Sequence, residues 1–312
     1  MEIFAAPQEF AGRCRPVSLA IGVFDGVHVG HQELIRAMVK RAEAEGALPL
    51  VMTFDPHPKA VVRPESTPPA LQRLDQRLQA ISNLGVQASW VVPFDQPFSQ
   101  QTGEEFAVSL RRLFPELRCV HVGSRFTFGH RRSGNVALLQ EIGARLGYAV
   151  EPVEPVVCDG AVVSSTRIRS LLKAGEFGAA AGLLGRPWIL KGTVERGEGL
   201  GRRIGVPTAN VAAGGMVLPP LGVYAAWAAW EDHRVPAAVN IGRRPTVAGA
   251  EAPVRVEAHL VGIEADLYGR PLELEFLRQL RPEQRFESLA ALTSQIQRDI
   301  QATRTVCDRI AS

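Results

Sequence analysis

A change of pattern part-way along the chain limits its fold more than any other feature. In the first half, β-like runs alternate with amphipathic helical stretches. "SLAIGVF" reads as a strand and His31 to Glu45 as a helix, with Leu34, Ile35, Met38, Val39 and Ala42 on one face. "PLVMTF" is the next strand and Leu71 to Leu84 the next helix; "ASWVVPF" is a third strand, with Phe106 to Leu113 in a third helix. "RCVHVG" and "YAVEPV" follow, separated by a helix from Val136 to Leu146. Parallel neighbours need a crossover, usually helical, so the alternation predicts an α/β fold: a Rossmann-like parallel sheet with helices on both faces. Such sheets bind ligands at the carboxyl ends of their strands.

After Gly185-Arg186-Pro187 the crossover helices stop. "WILKGTVE", "GVYAAWAAW", "PAAVNIG", "VRVEAHLV" and "LELEFL" are short β-like runs punctuated by Gly and Pro, the pattern of an antiparallel barrel. A last amphipathic helix, about Leu289 to Ala302, carries Leu289, Leu292, Ile296 and Ile300 on one side and is expected to cover an open face of that barrel. The boundary is read near residue 185, giving domains 1–185 and 186–312.

Composition excludes several function classes. The 312 residues are 46% hydrophobic and 21% charged, which suits a soluble globular protein. A net charge of +3 gives no argument for nucleic acid or a membrane surface. No apolar stretch approaches the roughly 20 residues that span a bilayer. The N-terminus "MEIFAAPQEF" has an acidic second residue and no long apolar core, so no signal peptide is read. Cys14, Cys119, Cys158 and Cys307 are scattered without a C-x-x-C pair, and reduced thiols in a cytoplasmic enzyme are expected.

The chemistry-bearing stretch of the first half is "GVFDGVHVGHQEL", Gly22 to Leu34. His28 and His31 fall where a strand ends and a helix begins, where free N–H groups and positive potential suit phosphate. Gly22, Gly26 and Gly30 let the backbone turn tightly and a ligand come close. A spacing of three departs from the H-E-x-x-H metal pattern, so the favoured reading is two imidazoles donating to triphosphate oxygens. Here the sequence resembles a known family. "GVFDGVHVGH" is similar to the H-x-G-H signature of the nucleotidyltransferase superfamily, in the form its flavin branch carries. "TFDPHP" (Thr53 to Pro58) is similar to that branch's second motif, and "SSTRIR" (Ser164 to Arg169) to its late motif. Together they resemble the adenylyltransferase half of bacterial bifunctional riboflavin kinase/FAD synthetases. The resemblance implies ATP contacts from Gly22, Phe24, Asp25, Gly26, His28, Gly30, His31, Ser164, Ser165, Thr166, Arg167 and Arg169. It implies FMN contacts from Phe54, Asp55, His57, Pro58 and Arg125. Many relatives carry Asn or Asp where this chain has Arg125 in "VGSRFTFGHRRSG". Arg131 and Arg132 of that stretch are read as a solvated loop.

In the second half, "GTVERGEGLGRRIGVPTANV" lacks the G-x-x-x-x-G-K-[ST] pattern of a Walker loop. "GRRIGVPTAN" resembles instead the signature of the riboflavin kinase fold, a six-stranded barrel. The resemblance implies that Gly197, Gly199, Gly201, Arg202, Gly205 and Pro207 line the ATP phosphates. It implies that Thr208 and Asn210 hold Mg²⁺, that Glu257 is the general base, and that Leu218, Gly222 and Tyr224 belong to the flavin pocket. Val247 replaces a common Phe and Gly262 a common Asp. The expected activity is phosphorylation of riboflavin to FMN and adenylyl transfer to FMN, giving FAD, with ATP, Mg²⁺ and the flavins as small-molecule partners, no nucleic acid or membrane, and protein partners left open. The competing expectation is a single-activity adenylyltransferase whose barrel only binds flavin.

Overall fold

The computed structural model describes residues 1–5, 15–197, 201, 205–243 and 254–311. The chain folds as two compact units. Cys14, Gly199, Arg202 and Val247 lie outside the described residues.

The first unit comprises Met1–Pro69 and Arg73–Ser165. In chain order it contains β1 (Glu2–Phe4), β2 (Val17–Ile21), α1 (Val29–Glu45), β3 (Leu48–Asp55), α2 (Pro58–Val62), α3 (Leu74–Ser82), β4 (Ala88–Pro93), α4 (Gln96–Ser99) and α5 (Gly103–Leu113). Then come β5 (Leu117–Gly123), β6 (Thr127–Phe128), β7 (Gly134–Asn135), α6 (Val136–Leu146), β8 (Ala149–Val153), β9 (Val157–Cys158) and β10 (Ala161–Val162). Six strands form a sheet in the order β1-β4-β3-β2-β5-β8. Every neighbouring pair in it is parallel. Side chains of a strand alternate between faces. Leu19 and Ile21 therefore join a core with Phe106, Leu110, Leu139 and Ile142 of α5 and α6. Ala20 joins the opposite core, with Ile35 and Met38 of α1 and Ile81 of α3. The α1 residues predicted to face the core are the buried ones, and a left-handed Gly46 (φ 61°) ends that helix. The order reverses at β2, which has β3 on one side and β5 on the other. That switch point is where α/β sheets open a crevice.

The second unit comprises Ala70–Gln72 and the chain from Thr166 onward. It holds α7 (Ser165–Lys173, starting at the last residue of the first unit), α8 (Phe177–Leu184), β11 (Ile189–Glu195), β12 (Ala209–Ala212) and β13 (Gly222–Trp230). β14 (His233–Arg243), β15 (Val254–Leu260), β16 (Pro271–Pro282) and α9 (Leu289–Ala311) complete it. The six strands close into a barrel, β11-β12-β15-β14-β13-β16. Closure leaves no open face, which corrects the expected role of the last helix. α9 packs against the outside of a closed wall formed by β13, β14 and β16. Ile300 is buried there, whereas Leu289 is 59% exposed. The helical period gave the apolar stripe but not how far along the helix the wall reaches. Beside β16, Phe177 of α8 stacks on Phe276 at 5.6 Å and meets Tyr224 edge-on at 5.8 Å. Trp188 Nε1 donates to Leu71 O at 3.0 Å.

Candidate active sites

In the first unit the sequence between β2 and α1 makes a strained turn. Phe24 (φ 52°), Gly26 (φ 86°) and Val27 (φ 38°) are all left-handed. Two of them are not glycine, and such residues cost on the order of 1–3 kcal/mol each. Burial holds them, since Phe24 and Val27 are each 1% exposed. The Phe24 ring lies under Gly22, where an added Cβ would come within 2.9 Å of the ring. The same ring meets His31 edge-on at 5.3 Å, and His31 stacks on His28 at 3.6 Å. His28 is the N-cap of α1: its Nδ1 accepts from His31 N at 3.3 Å. An accepting Nδ1 leaves the proton of the neutral ring on Nε2, a donor. Burial, and then the neighbouring His28, hold the His31 pKa well below its ordinary 6.5. Its Nδ1 is buried without a hydrogen-bond partner. The two rings border a cavity of about 260 Å³ whose other walls include Gly22, Gly30, Ser124, Arg125, Phe126 and Val163. A helix N-terminus, two imidazoles and a guanidinium therefore face one cavity, a combination suited to phosphate oxygens.

The second motif supports this turn rather than lining the cavity. Thr53 Oγ1 donates to Val23 O at 3.0 Å. Phe54 packs against Phe94 and Phe98, and His57 caps α2 through Lys59 N. Arg77 of α3, unnoticed in the sequence, is buried and donates to Val23 O and Phe54 O, both at 3.0 Å. Burial lowers its pKa, against the favourable charges of Asp25 and Asp55. Ser165 Oγ, of the late motif, donates to Asp25 O at 2.8 Å within the first unit. Arg167 and Arg169 follow on α7, Arg169 being buried.

In the second unit, register assembles a polar row. Glu257 of β15 is the direct partner of Asn210 on β12 and of Asn240 on β14. Cross-strand partners share a face. All three, with Thr208, line a cavity of about 270 Å³ whose remaining wall is largely Val206, Val223, Phe286, Leu292 and Ile296. Arg281 and Asp299, also in its lining, form a bidentate pair, with Nη2 to Oδ2 at 2.9 Å. A second cavity of about 750 Å³, lined by Arg196, Gly197, Gly205, Pro207 and Tyr268, also includes Thr208. Thr208 therefore belongs to the walls of both. The glycines keep this wall open: a Cβ at Gly197 would lie 2.2 Å from Asn210 Nδ2, and one at Gly201 3.2 Å from Thr208 Oγ1. Asn240 sits inside the quoted "PAAVNIG" stretch, but only its register with Glu257 marks it. Tyr224 and Gly222 alternate with the cavity-lining Val223; the Tyr224 ring packs on Phe177 and its hydroxyl donates to Pro220 O. Leu218 is half-buried outside both cavity walls.

A family model for FAD synthetase matches residues 12–167, and one for riboflavin kinase matches residues 184–307. A bifunctional riboflavin kinase/FMN adenylyltransferase of Escherichia coli (strain K12) is 37% identical over 90% of each chain. That of Pseudomonas fluorescens is 37% identical over 92% of this chain and 91% of its own. A crystallised Streptococcus pneumoniae protein described as a macrolide-efflux protein has a TM-score of 0.84 at 27% identity, covering 97% of this chain and 99% of that one. Among the described residues of this chain, no helix is long and apolar enough to cross a membrane. With both family models matched in order and relatives aligned over nine-tenths of its length, the chain belongs to the bifunctional riboflavin kinase/FMN adenylyltransferase family.

Proposed function

We propose that the barrel phosphorylates riboflavin to FMN with ATP, and that the α/β unit transfers AMP from a second ATP to FMN, releasing FAD and pyrophosphate. The observation that carries this reading is the pair of cavities meeting at Thr208. The smaller has an apolar wall for a ring system and a polar row for a ribityl chain. The larger is polar and has room for a nucleotide. A hydroxyl reaching from one to the other passes the Thr208–Asn210–Glu257 row. A ribityl hydroxyl is a poor nucleophile until its proton is accepted, and Glu257 is the carboxylate in register to accept it. Asn210 and Asn240 flank that carboxylate on both neighbouring strands.

Mg²⁺ fits the same wall. Thr208 and Asn210 offer neutral oxygen donors, the type Mg²⁺ prefers, and the missing side chains of Gly197 and Gly201 leave the cradle beside them free. Thr208 Oγ1 and Asn210 Oδ1 would hold the ion, which when bound offsets the charge of the transferring phosphates. Functionally the boundary is drawn at residue 185, with residues 1–185 serving adenylyl transfer and 186–312 the kinase.

Adenylyl transfer makes a different demand. FMN already carries an ionised phosphate, so its attack needs positioning and charge stabilisation and no strong base. His28 Nε2–H, the α1 N-terminus and Arg125 supply donors and positive potential without a general base. Cys119, Cys158 and Cys307 form no disulfide, which fits a reducing compartment, and we place both steps in the cytoplasm. Incubation of the protein with riboflavin, ATP and Mg²⁺, with flavins resolved by chromatography over time, tests the reading. FMN should rise first and FAD follow. FMN supplied alone yielding FAD while riboflavin yields nothing would favour a barrel that only binds flavin.

A further inference from the structure

β5 carries Cys119 and His121 two residues apart, so both side chains leave the same face of the sheet. Glu151 of β8 is the direct parallel partner of His121. A sulfur, an imidazole nitrogen and a carboxylate oxygen of these three residues all lie within 4.8 Å of one another. Cys119 and His121 are fully buried. His121 Nε2 is 3.0 Å from Glu151 Oε2, yet neither ring nitrogen has the alignment of a hydrogen bond. A buried polar group left unsatisfied in this way costs on the order of 1–3 kcal/mol. Burial lowers the His121 pKa, and the charge of Glu151 opposes that shift in part. Burial first, and then the Glu151 charge, push the Cys119 thiol up to about 12. Arg41 of α1 bonds the other carboxylate oxygen of Glu151, and Glu45 as well, which leaves Oε2 turned to the cluster. The Glu151 side chain is 42% exposed and gives the cluster an opening to solvent.

We propose that Cys119, His121 and Glu151 bind one thiophilic divalent cation of the Zn²⁺ class through Sγ, an imidazole nitrogen and a carboxylate oxygen, with water in the fourth position. Three such ligands and an open fourth place suit Zn²⁺ and do not suit Mg²⁺, which takes oxygen donors. On binding, the Cys119 proton leaves to solvent. The thiolate and carboxylate together then neutralise the ion, and the His121 nitrogen becomes its third ligand. The site is separate from the Thr208–Asn210 wall. It has a structural consequence for the first unit, because β5 and β8 lead into Ser124–Phe126 and Glu154–Val156, which line the cavity of His28 and His31. A cation would tie together the two strands that carry those segments.

The test is a Co²⁺ titration of the full chain without nucleotide, followed by absorbance. Binding should produce a thiolate-to-cobalt charge-transfer band that saturates at about one ion per chain and disappears on adding Zn²⁺. Cys119→Ser should abolish the band, and Cys158→Ser should leave it intact. Glu151→Gln alters a partly exposed side chain of the same size, so the fold should survive. It should weaken Zn²⁺ binding by at least the roughly tenfold that losing even an outer-shell partner costs. Absence of the band in the unaltered protein, its persistence in Cys119→Ser, or unchanged Zn²⁺ affinity in folded Glu151→Gln would each overturn the assignment.

Discussion

At the scale of the residue, His28 and His31 stood out in the sequence because glycines and a strand–helix junction surround them, and the structure stacks one ring on the other. Their contact makes a pH prediction. The His31 pKa is held below 6.5 in the folded chain by burial and by His28. The unfolded chain therefore binds the extra proton first as pH falls. The contribution is fully present above about 6.5 and is lost as pH falls through the folded value. His121 shifts the same way, so the unaltered protein has more than one source of acid sensitivity. Denaturant melts from about pH 7 to about pH 5 should lose stability less steeply in His31→Asn than in the unaltered protein. Equal slopes would show that His31 is not held neutral by the fold. Thr208 and Glu257 were legible only through the motif resemblance, and their roles separate by experiment. Thr208→Ala should lower FMN formation and recover part of it at higher Mg²⁺. Glu257→Gln should show no such recovery, since a cation cannot replace a proton acceptor. Arg77, Asn240 and the Cys119–His121–Glu151 cluster escaped the sequence because each depends on a partner far along the chain.

Among elements, periodicity placed α1, α6 and the sheet strands closely. It missed β1, a three-residue edge strand, and β12, four residues whose pairing with β11 and β15 comes entirely from the barrel. It also left α8 unassigned, although Phe177, Ala180, Leu183 and Leu184 are its buried residues. A run rich in Ala and Gly has little polar contrast to reveal a helical face. α3 shows how an element can act on chemistry it does not touch. Its Arg77 ties the end of β3 to the turn after β2 through two backbone carbonyls. Arg77→Leu removes two hydrogen bonds from a charged donor and also relieves the burial of a guanidinium. The net loss expected for the first unit is about 2 kcal/mol, read from denaturant midpoints. FAD formation should fall well below FMN formation in the same variant. Equal effects on both activities would mean that Arg77 supports the chain generally and not this turn.

For the whole molecule, the change of pattern near residue 185 foretold two folds, but packing assigns α7 and α8 to the barrel unit. The reason is aromatic: Phe177 of α8 covers Phe276 and Tyr224 of the barrel. A fragment of residues 186–312 would expose those rings, each buried aromatic being worth about 1.5–3 kcal/mol. It should melt at a lower temperature than a fragment of residues 166–312, which should still make FMN. Identical melting temperatures would contradict this account of α8. The central claim is that one chain carries two independent phosphate chemistries, one at Glu257 and one at His28 and His31. The most direct measurement assays Glu257→Gln and His28→Ala, each supplied in turn with riboflavin and with FMN. Glu257→Gln should lose roughly 10²–10⁴ in FMN formation and convert FMN to FAD at near the unaltered rate. His28→Ala should show the converse, losing roughly 10²–10³ in FAD formation with FMN formation nearly intact. Both activities falling together in either folded variant, or near-native riboflavin turnover by Glu257→Gln, would contradict it.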